Sequence, residues 1–330
     1  MIQHMPVPGR LADCRIENLR AIQAPSLRAL LEEEKRNWLA RLHWDFSASA
    51  ELVTRYVNIH ALDGLALVCG SDIAGYCYWV VEEQKALLGD LYVRDAWRAV
   101  ETQGRLLDEA IYSLRRAASM PALAVRRVES QLMQLAQPEL LAWEEKRRPV
   151  SFARVFMLAP LEQRARWRAV TFGEAARFVS WGPVWMESTA ELVSAVYRGH
   201  VDSQINDQYR SAAGAARFLR NIIHFPGCGI FLPEASMVAM DPNGDLLACV
   251  ITTRVAEQTG HIAQLCVAPG WQRRGLGYEM LRRAMVELTR AGCKEVSLTV
   301  TESNETALRL YRHMGFHAIH RFQALIWDPL

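Results

Sequence analysis

Leu265-Cys266-Val267-Ala268-Pro269-Gly270-Trp271-Gln272-Arg273-Arg274-Gly275-Leu276-Gly277 is the most informative stretch of the chain. A short apolar run leads through a Pro-Gly break into a basic, glycine-rich loop, and a helical pattern follows from Tyr278 to Arg290. Glycines let the backbone approach a ligand closely, and the N–H groups at a helix start attract an anion. Arg273 and Arg274 add full positive charges. The order strand, loop, helix therefore predicts a phosphate-binding site.

Two common phosphate-binding motifs differ from this loop. A P-loop carries Lys and then Ser or Thr after its second glycine, and a dinucleotide fold needs a third glycine and a ribose-binding acid. A plain strand-to-helix turn would need one glycine and no cations. From its own residues, the loop therefore predicts an anion site at a helix start.

Composition indicates a protein of two globular domains. The chain has 330 residues, 51% of them hydrophobic, which exceeds what one core usually organises. A formal net charge of +2 gives no argument for a nucleic-acid partner or an anionic membrane surface. Seven cysteines without CxxC spacing favour reduced, buried thiols and no metal site. The chain starts without a signal-peptide pattern and contains no apolar run of spanning length, so we expect a soluble cytoplasmic protein.

The spacing of apolar residues predicts two successive rounds of α/β structure. The first has helices at about 11–38 and 47–57 (with a Ser cap), strands at 65–69, 73–81 and 86–93, a helix at 103–117, a strand at 125–135, a helix at 138–146 and a strand at 151–158. The second has helices at 188–198 (with a Ser188 cap) and 212–223, strands at 236–240, 246–255 and 260–267, a helix at 278–290, a strand at 295–301, a helix at 305–314 and a strand at 317–327. We expect domains at 1–160 and 173–330, joined by a linker at 161–172.

The two rounds also share sequence, which indicates an internal duplication. A shift of 174 positions (265 minus 91) lays Leu91 and Val93 onto Leu265 and Val267, and likewise Trp97 and Leu107 onto Trp271 and Leu281. The same shift sets Glu101 and Gln103 against Gly275 and Gly277, and Ala99 and Val100 against Arg273 and Arg274. The first copy has therefore lost both the glycines and the cations, and we expect it not to bind the anion in this way.

The second round resembles the GNAT superfamily of acetyl-CoA-dependent N-acetyltransferases, and the whole chain resembles its tandem members. The resemblance rests on Ile262 to Val267, the Gln272 to Gly277 loop, Thr299 to Asn304, and Ala307 to Phe316 in correct order and spacing. It implies two tandem GNAT-like α/β domains, each a mixed central sheet flanked by helices. The first domain would be a degenerate copy that supports packing, shapes the acceptor pocket or binds something else.

The resemblance also implies roles for individual residues. The coenzyme A pyrophosphate would lie on Gln272, Arg273, Arg274, Gly275, Leu276, Gly277 and Tyr278. The pantetheine arm would pair with the main chain of Leu265, Cys266 and Val267 in a slot between splayed parallel strands, and Asn304 would hydrogen-bond it. A bulge near Cys266 would leave an N–H free for the thioester carbonyl. Tyr311 matches the general acid that protonates the departing thiolate; as a space-filling aromatic it would need no hydroxyl.

Residues on the acceptor side are less well defined. A polar stretch between two predicted helices contains His200, Asp202, Asn206 and Tyr209, and Glu234 follows the turn at Gly227 to Gly229. These residues could line the acceptor pocket, or form a solvated helix connection and a tight turn. No motif assigns the general base: Glu302 could face either way, and His261 fits better as an exposed histidine at a strand start.

We therefore expect an N-acetyltransferase that transfers an acetyl group from acetyl-CoA to a primary amine by direct attack in a ternary complex. The amine could belong to a small molecule or to a protein. The alternative is a non-catalytic acyl-CoA-binding or interaction module that retains the fold.

Overall fold

The computed structural model describes residues 14–118, 125–135, 148–162 and 167–328. The chain forms two compact units. The first comprises Met1–Trp38, Phe46–Phe152 and Phe322–Leu330, and the second comprises Leu39–Asp45 and Ala153–Arg321. The predicted helix at 138–146 lies outside the described residues.

The first unit is a mixed sheet covered by a long helix. Its elements are β1 (Cys14–Asn18), α1 (Arg28–Leu42), α2 (Ser47–Asn58), β2 (Asp63–Cys69), β3 (Asp72–Glu82), β4 (Lys85–Val93), α3 (Val100–Ala118), β5 (Arg127–Gln131) and the end of the last strand, β13 (His317–Trp327). The sheet order is β1-β2-β3-β4-β5-β13, in which β4 and β5 are parallel. Leu106, Leu107 and Leu114 of α3 pack on Leu91 and Val128 of the sheet.

The second unit has the same kind of sheet with helices on both faces. Its elements are β6 (Val150–Pro160), β7 (Arg177–Ser180), α4 (Met186–Tyr197), α5 (Asp202–Ile205), α6 (Ala212–His224), β8 (Ile230–Phe231), β9 (Met237–Met240), β10 (Leu246–Ala256), β11 (Thr259–Val267), α7 (Leu276–Arg290), β12 (Glu295–Thr301), α8 (Glu305–His313) and the start of β13. The order is β6-β12-β11-β10-β9-β7, with β8 on β10, and β11 and β12 are parallel.

Alternation along β10 distributes its side chains between two cores. Val250 packs in the core that contains α7 and α8, whereas Cys249 and Ile251 pack in the core that contains α4 and α6. Both units are thus mixed sheets flanked by helices, as the sequence predicts.

The start of the chain differs from the prediction. The predicted helix at 11–38 is confirmed from Arg28 onward but is wrong for residues 14–27, because Cys14–Asn18 pairs with β2 as a strand and the α-helix begins only at Arg28. The side-chain caps expected at two helix starts are also absent: Phe46 is the N-cap of α2, and α4 begins at Met186, before Ser188.

A disulfide bond joins Cys14 and Cys69, so the expectation of reduced thiols is wrong for this pair. The antiparallel pairing of β1 with β2 places the two residues opposite each other with Cα atoms 4.2 Å apart. This proximity depends on β1, which the sequence pattern did not reveal. In the described part of the chain, no helix combines the length and apolar character that crossing a membrane requires.

The compact units divide the chain differently from the predicted boundaries at 160 and 173. Residues 154–160 of β6 pair with β12, and both segments belong to the second unit. Residues 324–327 of β13 pair with β5, and both segments belong to the first. Local patterns contain no signal for pairing between segments so distant in sequence.

Candidate active site

The parallel strands β11 and β12 separate part of the way along their length. They pair from Thr259 with Glu295 to Ile262 with Leu298, and the pairing ends there. Immediately afterwards β11 contains a bulge at Ala263, because Ile251 of β10 pairs with Gln264 whereas Thr252 pairs with Ile262. The predicted opening between parallel strands is present, but the bulge lies three residues before Cys266, the position near which it was predicted.

A cavity of about 430 Å³ lies at this opening. Its lining comes from the end of β11, the loop before α7 and the first turn of that helix, the end of α4, and one side of α8. The predicted site residues that line it are Leu265, Cys266, Val267, Gln272, Arg273, Gly275, Gly277, Tyr278, His200, Asn304 and Tyr311. Two of the predicted coenzyme-binding residues lie elsewhere: the Arg274 guanidinium stacks 5.5 Å from the Trp271 ring, and Leu276 is fully buried in the core.

The loop has the backbone geometry of an anion cradle. Gly275 has φ +84°, a left-handed conformation that turns the chain into α7, and the Gln272 side chain ties the loop to the strand by donating to the Val267 carbonyl at 3.1 Å. The first helical hydrogen bond runs from Glu279 N to Gly275 O, so the preceding N–H groups have no partner within the helix. At Gly277 a Cβ would approach Val267 and Leu310 to 3.4 and 3.7 Å, inside the cavity wall. The loop can therefore receive a phosphate group at close range.

A buried carboxylate holds the start of α7 to the preceding segment. Glu279 is 0% exposed and accepts hydrogen bonds from Val170 N at 3.0 Å and from Arg282 and Arg283, each at 2.7 Å. Burial alone would raise the pKa of Glu279, but the bonds from Arg282 and Val170 lower it overall. One residue earlier, the Tyr278 hydroxyl donates to the Arg168 carbonyl at 3.0 Å. Sequence reasoning missed Glu279, whose polarity suggests a solvated helix face.

Asn304 and Tyr311 are positioned by α8. Asn304 is the N-cap of this helix and accepts from Ala307 N at 3.1 Å. Tyr311 is 9% exposed, and its ring packs 5.8 Å from that of Phe316. Burial, with a smaller contribution from the Asp202 charge, raises the pKa of the Tyr311 hydroxyl well above its ordinary value. Within the described ranges that hydroxyl has no hydrogen-bond partner, so a protonated phenol faces the cavity.

Only part of the polar stretch at and after the end of α4 lines the cavity, and the rest packs behind the lining residues. Tyr197 and His200 line the cavity, while Tyr209 lies behind Tyr197 with the two rings stacked at 4.4 Å. Gln264 joins the two tyrosines, donating to the Tyr197 hydroxyl at 2.9 Å and accepting from the Tyr209 hydroxyl at 3.4 Å. Asn206 accepts from Gln208 N at 3.0 Å and caps a short helical turn. Tyr209 and Asn206 thus have structural contacts outside the cavity lining.

Asp202 forms a part-buried ion pair with Arg154. Arg154 Nη1 donates to Asp202 Oδ1 at 3.1 Å and to the Thr301 hydroxyl at 2.9 Å, and that hydroxyl also donates to Asp202. The Nε atom of Arg154 is buried without a partner among the described residues. Arg154 was not identified from the sequence, because it lies in β6, 48 positions before Asp202.

The other candidates lie outside the cavity. Glu234 is exposed, and its charge acts on Cys293. His261 is buried against Trp44 and Phe156, so the expectation of an exposed histidine is wrong, and burial lowers its pKa to about 3. Glu302 accepts from Arg321 at 3.0 Å. No cluster of His, Cys, Asp and Glu in the described ranges could hold a metal ion.

Comparisons with known proteins agree with this geometry. Residues 203–316 match the acetyltransferase (GNAT) family model. The N-alpha-acetyltransferase MAK3 of Arabidopsis thaliana is 40% identical over 57 residues, which are 17% of this chain and 30% of that protein. The matched segments span less than a third of the length of the first such relatives, at 30%, 28% and 21%.

Two solved structures match nearly the whole chain. A GCN5-related N-acetyltransferase from Sphaerobacter thermophilus aligns over 96% of both chains with a TM-score of 0.64 and 19% identity. A tandem GNAT protein from the clavulanic acid biosynthesis pathway aligns over 96% of this chain and 99% of that chain, with a TM-score of 0.60 and 12% identity. At these identities the likeness shows the fold alone, and that fold is the GNAT acetyltransferase fold.

Proposed function

We propose that the second unit transfers an acetyl group from acetyl-CoA to a primary amine by direct attack in a ternary complex. The observation that carries this proposal is that one cavity unites the anion loop, an open strand edge and the protonated phenol of Tyr311. The family match over residues 203–316 covers the same elements and supports the proposal.

The residues present fit coenzyme A. The N–H groups at Gly275 to Tyr278 and the Arg273 side chain would hold the pyrophosphate, because a helix start and a cation both favour an anion. The main chain of Leu265 to Val267 would pair with the pantetheine arm, since β12 no longer pairs with β11 there. Gly277 leaves room that any side chain would fill.

The thioester would supply an activated acetyl group, and residues of the chain would transfer the protons. The amine nitrogen forms a bond to the carbonyl carbon as the carbon–sulfur bond breaks. Tyr311 donates its proton to the departing sulfur, which it can do because burial keeps the phenol protonated.

The acceptor is proposed only as an amine. The name of the MAK3 relative indicates a protein α-amine, whereas the tandem structural neighbour belongs to a biosynthetic pathway for a small molecule. Both classes fit the chemistry of the site, so an acceptor panel must contain each.

We further propose that the first unit is a degenerate copy. β4 and β5 pair in parallel over four positions, as β11 and β12 do, and Gly89 forms a bulge 174 positions before the bulge at Ala263. A Cβ at Gly89 would lie 2.1 Å from the Tyr78 ring, which therefore covers the bulge. Asp90, the counterpart of Gln264, is buried and hydrogen-bonded to Glu34.

The proposed activity is tested by thiol release from acetyl-CoA with a panel of peptide and small-molecule amines. We expect release with at least one amine, and a higher Tm in acetyl-CoA, because saturation at 100 times Kd adds about 2.7 kcal/mol of stability. Tyr311→Phe should keep the Tm shift and lower kcat by about 10²–10⁴-fold. The exposed Tyr56→Phe serves as the control.

The outcomes separate the two candidate functions. If acetyl-CoA produces no Tm shift and no thiol is released, the proposed coenzyme site is overturned. A Tm shift without thiol release across the whole panel would instead favour the non-catalytic acyl-CoA-binding module. Retention of Asn304 and Tyr311 in the cavity argues against that module, since a binder needs no general acid.

A further inference from the structure

We infer that the Tyr197 hydroxyl donates a hydrogen bond to the carbonyl oxygen of the acetyl group, with Gln264 as the positioning residue of that hydroxyl. The inference rests on the proposed acetyl transfer and adds a donor that this reaction requires. Negative charge develops on the carbonyl oxygen as the amine attacks, and preorganised hydrogen-bond donors stabilise such charge. Tyr197 is the last residue of α4 and lines the cavity.

Four of the side chains that line the cavity carry a hydroxyl group, and they have different surroundings. Tyr278 donates its proton to the Arg168 carbonyl at 3.0 Å. Thr306 is exposed in the first turn of α8. Tyr311 has the role of general acid in the proposed reaction. Tyr197 is therefore the remaining phenol that can donate to the carbonyl oxygen.

The contacts of Gln264 determine where the Tyr197 proton can point. Gln264 Oε1 accepts from the Tyr209 hydroxyl at 3.4 Å, and Gln264 Nε2 donates to the Tyr197 hydroxyl oxygen at 2.9 Å. A hydroxyl that accepts a hydrogen bond still has its own proton to donate. In the part of the chain that the structure describes, no residue accepts the Tyr197 proton, so it is available to a ligand in the cavity.

A second contact supports this orientation of the Gln264 amide. Hydrogen bonding to Cys249 and burial raise the pKa of the Cys266 thiol, and a hydrogen bond from Gln264 opposes this rise. A bond that favours the thiolate comes from a donor. The amide nitrogen of Gln264 therefore faces both Cys266 and Tyr197, and its oxygen faces Tyr209.

Tyr197 and Tyr311 both lie near the middle of the same strand segment. Burial is the main cause that raises the pKa of each phenol, so both keep their protons at neutral pH, and Cys266 makes a smaller contribution to both. The two hydroxyls are thus within electrostatic reach of Cys266. In the proposed complex, Leu265 to Val267 would hold the pantetheine arm next to the thioester.

The Tyr197 ring is held from two sides. It stacks on the Tyr209 ring with centroids 4.4 Å apart and 19° between the planes, and the His200 ring meets it edge-on at 5.2 Å. A donor that is fixed before the reaction needs no reorganisation during it. These contacts involve the ring alone, so Tyr197→Phe keeps them and removes only the hydroxyl.

The protons of the reaction balance with the two phenols in different roles. Tyr197 keeps its proton throughout and donates only a hydrogen bond, while the amine nitrogen forms a bond to the carbonyl carbon. The electrons of the carbon–sulfur bond leave on sulfur, which takes the proton of Tyr311. The nitrogen loses one proton to solvent and a proton returns from solvent to Tyr311, so the products are the amide and the free thiol.

The inference is tested with Tyr197→Phe. We expect kcat to fall by about 10²–10³-fold, while the acetyl-CoA-induced Tm shift stays unchanged because the bond strengthens mainly in the transition state. Infrared difference spectra of bound acetyl-CoA, with and without an isotope-labelled carbonyl carbon, measure the donor directly. A hydrogen bond weakens the carbonyl bond, so its stretching frequency should be lower in the wild type than in Tyr197→Phe.

Two further tyrosine variants are the controls. Tyr311→Phe should lose rate but keep the wild-type carbonyl frequency, since the general acid acts on sulfur. The exposed Tyr56→Phe should match the wild type in both measurements.

Gln264→Leu tests the positioning role. The Tyr197 hydroxyl would keep its proton but lose the bond that orients it, so the carbonyl frequency should lie between those of the wild type and Tyr197→Phe, with a smaller loss of kcat. If the amide instead accepted the Tyr197 proton, its removal would free the hydroxyl, and a carbonyl frequency below that of the wild type would contradict the role of Gln264.

The remaining outcomes separate this inference from the proposed function. Thiol release by the wild type together with unchanged kcat in Tyr197→Phe would overturn the inference alone. A loss of rate in Tyr197→Phe without a change in carbonyl frequency would also overturn it, because the hydroxyl would then have only a structural role. Absence of thiol release from the wild type would overturn the proposed function itself.

Discussion

At Gly277, a side chain would be compatible with folding but would oppose the proposed coenzyme binding. It lies in the first turn of α7, and a Cβ there would make ordinary contacts of 3.4 Å to Val267 and 3.7 Å to Leu310. Alanine also favours a helix over glycine by about 0.5–1 kcal/mol. The methyl group would nevertheless project from the cavity wall along which the coenzyme would lie in the proposed complex.

We therefore predict opposite effects of Gly277→Ala on stability and on coenzyme affinity. The free energy of unfolding should stay equal or rise by up to about 1 kcal/mol, while Kd for coenzyme A should rise at least about tenfold, which is about 1.4 kcal/mol. Urea unfolding and calorimetric titration measure the two quantities. Gly270→Ala is the matched control, because a Cβ there meets nothing within 4 Å. Unchanged affinity in Gly277→Ala would contradict the assignment of the cradle.

Single residues of the site could be predicted only where a local motif contains them. The loop residues Gln272 to Gly277, with Asn304 and Tyr311, belong to short motifs, and most of them line the cavity. Arg154 and Gln264 carry no such signal, because their partners lie 48 and 67 positions away and depend on strand pairing. Glu234 was predicted from its neighbours in sequence, yet its turn lies outside the cavity.

At the level of elements, the attachment of α7 to residues 167–172 holds the glycine loop, Gln272 to Gly277, in place. Glu279 joins Val170 N to Arg282 and Arg283 in one buried group of charge-assisted bonds. Its pKa is lowered by these partners. A lowered folded-state pKa means that the stabilisation is present above the ordinary glutamate pKa and is lost as the pH falls through the folded-state value.

We predict that Glu279→Gln destabilises the protein by about 1–3 kcal/mol at pH 7, because the amide loses the charge that both guanidinium groups bind. The difference from wild type should shrink below the ordinary glutamate pKa, as the wild-type carboxylate takes up its proton. Urea unfolding at pH 7 and pH 4 measures it. Glu287→Gln, which breaks an exposed pair with Arg290 on the same helix, should cost less than about 0.5 kcal/mol at either pH. Equal losses in both variants would contradict the role of the buried group.

Helices and strands could be predicted from the sequence where one period of apolar residues continues through the whole element. The predicted β12 and β13 match the observed Glu295–Thr301 and His317–Trp327, since each is a clear run between turn signals. Residues 14–27 were not predictable in this way, because Leu19, Ile22 and Leu27 imitate a helical spacing across two short 3-10 turns that follow a strand. β7 and β8, of four and two residues, are too short to give a period.

The whole molecule combines two similar sheets whose loops differ in chemistry. In each unit, four residue pairs between parallel strands are followed by a bulge in the first of the two strands. This strand is Lys85–Val93 in the first unit and Thr259–Val267 in the second. After the bulge the second unit continues to a glycine loop, whereas the first has Glu101 in the first turn of α3 and a buried Gln103. Side chains at these two positions block the close approach of the backbone to a phosphate, which the glycines of the second loop would allow. One fold thus does not imply two coenzyme sites.

This asymmetry predicts where coenzyme A protects the backbone from hydrogen exchange. Peptides that cover Leu265 to Tyr278 and Asn304 to Tyr311 should exchange more slowly when coenzyme A is added, because bound main-chain groups open less often. Peptides that cover the corresponding Leu91 to Gln103 should exchange at the same rate with and without it. Mass spectrometry of the protein gives both rates in one sample. In Gly277→Ala at the same coenzyme concentration, the protection in the second unit should be lost. Slower exchange at Leu91 to Gln103 that persists in Gly277→Ala would reveal a second coenzyme site, and would show that the loss of glycines and cations did not disable the first copy.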